Sequence, residues 1–222
     1  MKLEPHRPLG YFLKRVVEVL LLLSLKGNLR GVYLRGKPPS APVVLAMNHH
    51  SFYDGHLVWL LGRLAGRPTS LLVAEENLRA FPILSLVGAL EAGQLREALR
   101  RLDLGGWVAV FPEGVMRFPG PLSPLYPGAQ WLSKRARVPL LPVAARVVLR
   151  GFEHPEAFLL LGNPLPPGEN PAPALEGLLR ELDATLQATH PRQVPQGFQE
   201  VLRGQRSLEE RMRPWVEALR RL

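Results

Sequence analysis

Three of the six histidines and one aspartate lie in residues 48–56, which follow an apolar run ending at Met47. His49 and Asp54 lie in this segment with four residues between them, so the chain can fold back and let the Asp54 carboxylate accept a hydrogen bond from one ring nitrogen of His49. The other ring nitrogen is then available as a base. The spacing therefore predicts a catalytic pair, in which His49 removes a proton and Asp54 supports it.

Two more histidines, His50 and His56, lie in the same segment. In an extended segment His50 points away from His49, and His56 falls on the helix predicted to follow, so we predict a structural role for both. Histidine and aspartate are also ligands that zinc and iron prefer, which makes a metal hydrolase an alternative. The spacing matches no usual metal-binding pattern, and we predict no metal site.

A second group of functional side chains follows a predicted strand that ends at Val110. Gly114 permits close approach of the backbone to a ligand, Glu113 can orient a hydroxyl, and Arg117 can donate two hydrogen bonds to a phosphate. Two strands of one sheet can present both groups to the same cleft. The members of this second group are Phe111, Pro112, Glu113, Gly114 and Arg117.

Alternating apolar and β-branched runs, separated by helical patterns, predict an α/β fold. We expect one domain with a mixed central sheet flanked by helices over residues 31–190, an N-terminal amphipathic helical segment over 1–30, and a helical C-terminal extension over 191–222. The predicted strands are 31–34, 43–47, 70–73, 107–111 and 140–149. The predicted helices are 55–64, 82–87, 95–102, 129–137 and 174–188.

Near the N-terminus, apolar residues recur at helical spacing from Leu9 to Leu21, with Lys14, Arg15 and Glu18 on another face. The continuous apolar run from Val19 to Leu23 is shorter than the roughly 20 residues that span a bilayer. Because of this length, no membrane span is predicted. No small-x-small cleavage site follows the run, so no signal peptide is predicted either. The same stripe is suited to packing on the core or to lying in a membrane interface.

The chain has 222 residues, a formal net charge of +9 and no cysteine. The lack of cysteine removes disulfides and thiolate nucleophiles, and it fits a reducing compartment. The charge is carried mainly by arginine, so nucleic acid, anionic lipid and coenzyme phosphates are candidate partners. No nucleic-acid-binding motif is present, and the tail arginines alternate with glutamates, as on a solvated helix face. We therefore predict no nucleic-acid partner.

Three motifs together resemble the glycerolipid acyltransferase family, which includes 1-acyl-glycerol-3-phosphate acyltransferases. They occur in family order between Val43 and Val143. The motifs are Asn48-His49-x-Ser51-x-x-Asp54, Phe111-Pro112-Glu113-Gly114 and Val138-Pro139-x-x-Pro142-Val143.

The resemblance implies that His49 deprotonates an acceptor hydroxyl, that Asp54 supports it, and that Glu113 and Gly114 help to hold the acceptor. It also implies that acyl-CoA or acyl-carrier protein donates the acyl group and that no resident cofactor is needed. A lipid acceptor and a peripheral position on the cytoplasmic face of a membrane are expected.

The chain departs from the family pattern where the acceptor phosphate is recognised. Similar enzymes carry an arginine six residues after a glycine in their second motif, and here, counting from Gly88, that position is Gln94. The arginine after Pro-Glu-Gly is displaced by one residue, to Arg117. The acceptor is therefore either a lysophospholipid bound by another arginine, with Arg79 and Arg96 as further candidates, or a phosphate-free glycolipid or lipid alcohol.

Overall fold

The computed structural model describes residues 8–219 of the chain. Residues 1–7 and 220–222, the ends of the predicted terminal segments, lie outside the described residues. The strands are β1 (Gly31–Arg35), β2 (Val44–Met47), β3 (Thr69–Val73), β4 (Ala89–Glu91), β5 (Trp107–Val110), β6 (Leu140–Val148), β7 (Glu156–Leu161) and β8 (Gln199–Arg203). The helices are α1 (Pro8–Asn28), α2 (Asp54–Ala65), α3 (Glu75–Ala80), a 3-10 helix (Pro82–Val87), α4 (Leu95–Asp103), α5 (Gly128–Ala136), α6 (Ala172–Ala188) and α7 (Leu208–Leu219).

In the described part of the chain the strands form one mixed eight-stranded sheet in the order β4-β3-β5-β2-β6-β7-β1-β8. Strands β2 to β6 run parallel, β7 is antiparallel to β6, and β1 is parallel to β7. The first residue of β1 therefore lies at the edge where β2 to β6 end. We call this the carboxyl edge, and the last residues of those strands mark it: Met47, Val73, Glu91, Val110 and Val148.

The centre of the sheet is buried on both faces, which explains why β2 is an uninterrupted apolar run. Leu45 and Met47 contribute to a core with α1 and α2 on one face, because alternate side chains of a strand point to opposite faces. Val44 and Ala46 contribute to a core with α4, α5 and the start of α6 on the other. The result is a three-layer α/β sandwich, as the sequence predicts.

Helix α1 presents apolar side chains to both the protein and the solvent. Val17 and Leu25 of the helix are buried, and so is Leu29 directly after it; Leu25 and Leu29 lie in the core beside β1. The helix also contacts the 3-10 helix and α2. A second stripe points outward. Its exposed members are Leu9, Phe12, Val16, Val19, Leu20 and Leu23. Among the described residues, no helix has both the length and the apolar character to cross a bilayer.

Every strand and helix predicted between residues 31 and 190 is present, with bounds shifted by at most two residues. Strands β4, β7 and β8 and helix α3 were not predicted. All six residues of β7 are buried, so the strand has no polar alternation to reveal it. The prediction of a wholly helical tail is corrected by β8, which pairs antiparallel with β1 and extends the sheet beyond residue 190.

Candidate active site

The two groups of functional side chains follow neighbouring parallel strands. Strand β2 pairs with β5, and Ala46 lies opposite Val110. The histidine segment begins directly after β2, and the Phe111 segment begins directly after β5. Both segments therefore start side by side at the carboxyl edge, which is where open α/β sheets expose reactive groups.

The predicted pair of His49 and Asp54 forms a hydrogen bond, with 2.8 Å between Nδ1 of His49 and Oδ2 of Asp54. Asp54 is fully buried as the first residue of α2, where the helix dipole favours a carboxylate. Its Oδ2 also accepts the backbone amides of His50 and Ser51, at 2.7 and 2.9 Å. Because Nδ1 of His49 donates to a carboxylate, the proton of the neutral ring is assigned to Nδ1, and Nε2 is left as the basic nitrogen.

The backbone of His49 is held on both sides by the segment that follows β5. Its amide donates to Oε1 of Glu113 at 2.9 Å, and its carbonyl accepts the amide of Arg117 at 2.8 Å. The other carboxylate oxygen of Glu113 accepts the amide of Ser123 at 3.2 Å. Glu113 is buried and bridges the two segments, a role that the sequence does not predict.

The turn from Phe111 to Gly114 fixes this arrangement. The amide of Gly114 donates to the carbonyl of Phe111 at 3.0 Å, and Gly114 has a φ of +74°. A Cβ at this position would lie 2.8 Å from Cε2 of Tyr126, whose amide in turn donates to the carbonyl of Pro112. Glycine is required here by the turn and by this contact. The phenyl ring of Phe111 stacks on the imidazole of His49.

A cleft at the carboxyl edge collects side chains from both segments. His49, Glu113 and Arg117 line it, together with Phe118, Gly120 and Arg146. The Arg146 guanidinium is almost wholly buried; it donates to both oxygens of Asp183 and to the carbonyl of Gly120. Arg146 thereby ties the loop after β5 to strand β6 and helix α6.

Of the candidate site residues, His49, Glu113 and Arg117 face the cleft, whereas Asp54 and Phe111 support His49 from behind and beside it. Pro112 and Gly114 shape the turn. The predicted roles of these residues in binding an acceptor stay predictions. Arg117 is the one of the three candidate phosphate arginines that lines the cleft, and Gln94 does not line it.

Asn48 and His50 also line the cleft, although the sequence analysis gave Asn48 no role of its own and predicted only a structural role for His50. The Asn48 amide joins β2 to β6: its Oδ1 accepts the amide of Ala145 at 2.8 Å, and its Nδ2 donates to the carbonyl of the same residue at 3.2 Å. Nε2 of His50 accepts the amide of Val147 at 2.9 Å. The adjacency of Asn48 to His49 was the available signal, whereas nothing in the sequence shows where β6 lies.

Burial lowers the pKa of His50 below its ordinary value, and the positive charge of Arg146 adds to that effect while Asp54 opposes it. Burial also lowers the pKa of His56, whose ring lies beside Phe52 and Tyr53. Within residues 8–219, no three His, Cys, Asp or Glu side chains are grouped so that they can share a metal ion.

Comparison with known proteins shows the family and agrees with this fold. The family model described as Acyltransferase matches residues 31–146, more than half of the chain, and includes both segments of the cleft. The chain therefore belongs to the glycerolipid acyltransferase family, as its three motifs indicated.

Two individual proteins are similar to it. A curated N-acylphosphatidylethanolamine synthase from Arabidopsis thaliana is 31% identical over 157 residues, which cover 62% of this chain and 55% of that protein. The chain thus spans about half the length of this relative. The crystal structure of the 1-acyl-sn-glycerophosphate (LPA) acyltransferase from Thermotoga maritima has the same fold, with a TM-score of 0.58, 20% identity and coverage of 81% of this chain and 82% of that one.

Proposed function

We propose that this protein transfers a fatty acyl group from an acyl thioester to a hydroxyl of a lysophospholipid or a related lipid. The observation that carries the proposal is the 2.8 Å hydrogen bond between His49 Nδ1 and Asp54 Oδ2, which leaves Nε2 of His49 as a base. That base lies at a cleft which is also lined by the cationic Arg117. The donor is acyl-CoA or acyl-carrier protein, used as a co-substrate rather than as a resident cofactor.

In this mechanism Nε2 of His49 takes the hydroxyl proton as the acceptor oxygen attacks the thioester carbonyl. A positioned imidazole contributes a rate factor of about 100 to 10,000 in such steps. The ionised Asp54 carboxylate holds the ring orientation and stabilises the imidazolium that forms. The tetrahedral intermediate then collapses, the carbon–sulfur bond breaks, and the proton on His49 passes to the departing thiolate.

Two features of the chain bear on the class of acceptor. Arg117 is exposed, lines the cleft and offers a guanidinium to a phosphate, which supports a phospholipid acceptor. Position 94, where similar enzymes have an arginine, is a glutamine, which supports the alternative of a phosphate-free glycolipid or lipid alcohol. Because the Arabidopsis relative is named as an N-acylphosphatidylethanolamine synthase, the amine of phosphatidylethanolamine is a further acceptor to test.

The reaction takes place at a membrane surface in this proposal. Helix α1 carries the outward apolar stripe. The helix ends shortly before β1, whose first residue Gly31 lies at the carboxyl edge. The loop after β5 starts at the same edge and exposes Val115, Met116 and Phe118 around Arg117. Apolar side chains flanked by cations bind anionic lipid surfaces, and the net charge of +9 attracts the protein to such surfaces. We place the protein on the cytoplasmic face, as a peripheral protein.

The test is to incubate the purified protein with acyl-CoA or acyl-carrier protein and a panel of acceptors, and to identify products by mass. The panel contains lysophosphatidate, glycerol 3-phosphate, other lysophospholipids, phosphatidylethanolamine and glycolipids. We expect acylated lysophospholipid, and His49→Ala and Asp54→Asn should each lower turnover about 100-fold or more, whereas His56→Gln should retain it. Retention of more than about a tenth of turnover by His49→Ala would reject the base assignment.

A further inference from the structure

His50 is buried directly behind the pair of His49 and Asp54. Its side chain is 3% exposed, and its ring lies between strand β6 and the Asp54 carboxylate. Nε2 of His50 is 2.9 Å from the amide nitrogen of Val147, and Nδ1 is 3.8 Å from Oδ1 of Asp54. His50 therefore contacts the supporting carboxylate without lying between it and His49.

The hydrogen bond from Val147 determines which nitrogen of His50 carries the proton. A backbone amide can only donate, so Nε2 is unprotonated and the proton of the neutral ring is on Nδ1. Nδ2 of Asn48 lies 3.3 Å from Nδ1 but is itself a donor, and both ends of the Asn48 amide are fixed by Ala145. The remaining acceptor that Nδ1–H faces is Oδ1 of Asp54.

Asp54 has one oxygen with three donors and one with none within hydrogen-bonding distance. Oδ2 accepts from the His49 ring and from two backbone amides. Oδ1 is buried, and in the part of the chain that the structure describes no group donates a hydrogen bond to it. A buried carboxylate oxygen without a donor is costly, and the nearby Nδ1–H dipole of His50 lowers that cost.

We propose that His50 is a positioning residue of the acyltransferase site: through its Nδ1–H it supports Oδ1 of Asp54, and through Nε2 it anchors the catalytic loop to β6. This role rests on the acyl transfer proposed above. In this role His50 keeps Oδ2 of Asp54 directed to His49, and His49 alone carries the proton between the acceptor hydroxyl and the departing thiolate.

Two amide substitutions separate the two contacts of His50. In His50→Gln the side-chain oxygen reaches the position of Nε2 and can accept from Val147, but no group replaces Nδ1–H. In His50→Asn the amide nitrogen replaces Nδ1–H, but the amide of Val147 loses its acceptor. The donor to Asp54 is thus removed in the first variant and retained in the second.

A direct test is NMR of the full chain labelled with nitrogen-15 histidine, which requires no substrate. Resonances that are present in the wild-type spectrum and absent from the His50→Gln spectrum identify the His50 ring. We expect this ring to be neutral at pH 7, with its proton on Nδ1. We also expect the downfield resonance of the His49 Nδ1 proton to shift in His50→Gln and to return toward its wild-type position in His50→Asn. A proton on Nε2 of His50, or a His49 resonance that does not change in His50→Gln, would overturn the role.

Kinetics on the accepted substrate provide the second measurement. We expect His50→Gln to lower kcat about tenfold, which corresponds to about 1.4 kcal/mol of lost electrostatic support for the Asp54 carboxylate, with KM unchanged. His50→Asn should recover most of kcat while having the lower Tm, because the contact with β6 is lost. Equal kcat losses in both variants would overturn the role. If no acceptor is acylated by the wild type, the proposed function fails, and the NMR result still decides the position of the His50 proton.

Discussion

The imidazole of His49 lies flat against the phenyl ring of Phe111, with 4.2 Å between the ring centroids and 11° between the ring planes. The family resemblance implies that Phe111 belongs to an acceptor-binding motif, and the structure puts its ring beside His49. The stacking holds the plane of the imidazole, and the bond to Asp54 fixes its rotation within that plane. Two independent contacts therefore orient Nε2 toward the cleft.

Replacing the aromatic ring should reduce turnover through His49. We expect Phe111→Leu, which keeps an apolar side chain but loses the flat face, to lower kcat about two- to tenfold, since such ring pairs contribute roughly 0.5–1.5 kcal/mol. Phe111→Tyr should retain most of kcat, because it keeps the stacking. Steady-state kinetics on both variants provide the measurement. A raised acceptor KM with normal kcat in Phe111→Leu would instead indicate that the ring binds the acceptor.

Glu113 should contribute to stability as well as to activity. Both of its oxygens accept backbone amides, from His49 and from Ser123. In Glu113→Gln the amide nitrogen would face one of these donors, so we expect the free energy of unfolding in urea to fall by roughly 1–3 kcal/mol and kcat to fall with it. Unchanged stability with only a higher acceptor KM would favour the direct binding role that the resemblance implies.

Acid should destabilise the protein through its buried histidines. Burial lowers the pKa of His50 and of His56 below their ordinary value of 6.5. As the pH falls from 7.5 through that value, the unfolded chain takes up protons that the folded protein excludes, so stability is lost. Urea unfolding at pH 7.5 and at pH 5.5 should show a smaller loss for His50→Gln than for the wild type. Equal losses would contradict a neutral buried His50.

Membrane binding should depend on the exposed apolar side chains of α1 and of the loop after β5. We expect Leu20→Ser in α1 and Phe118→Ser in the loop after β5 each to weaken sedimentation with anionic phospholipid vesicles about tenfold, the value of one buried large apolar side chain. Leu104→Ser is the matched control, since Leu104 is 69% exposed but directly follows α4, away from both elements.

Vesicle sedimentation, compared with a duplex-DNA binding assay, shows whether the protein prefers lipid or nucleic acid. Duplex DNA at matched salt should bind more weakly than anionic vesicles, and neutral vesicles should bind more weakly than anionic ones, because charge attracts the protein and apolar insertion retains it. Equal binding of all three serine variants to vesicles would place the membrane contact elsewhere. Binding of DNA in preference to vesicles would overturn the predicted partner.

The sequence predicts the elements whose pattern is local. Strand β2 is revealed by its apolar run and α4 by its helical period, and the His49–Asp54 hydrogen bond follows from the four residues between them. Strand β7 was missed because full burial removes polar alternation, and β8 because its residues are mostly exposed and polar. The stripe of α1 was predicted to face either the core or a membrane, and the structure shows inner and outer stripes on one helix.

By itself the sequence determined the chemistry available, since the types and local spacing of His49, Asp54 and Glu113 depend on no distant part of the chain. Only the tertiary structure decided which groups these residues contact. Pairing of β2 with β5 brings the Glu113 carboxylate to the amide of His49, and pairing with β6 gives His50 its partner at Val147. Such contacts join residues far apart in the chain, and they exist only because the sheet sets the register between its strands.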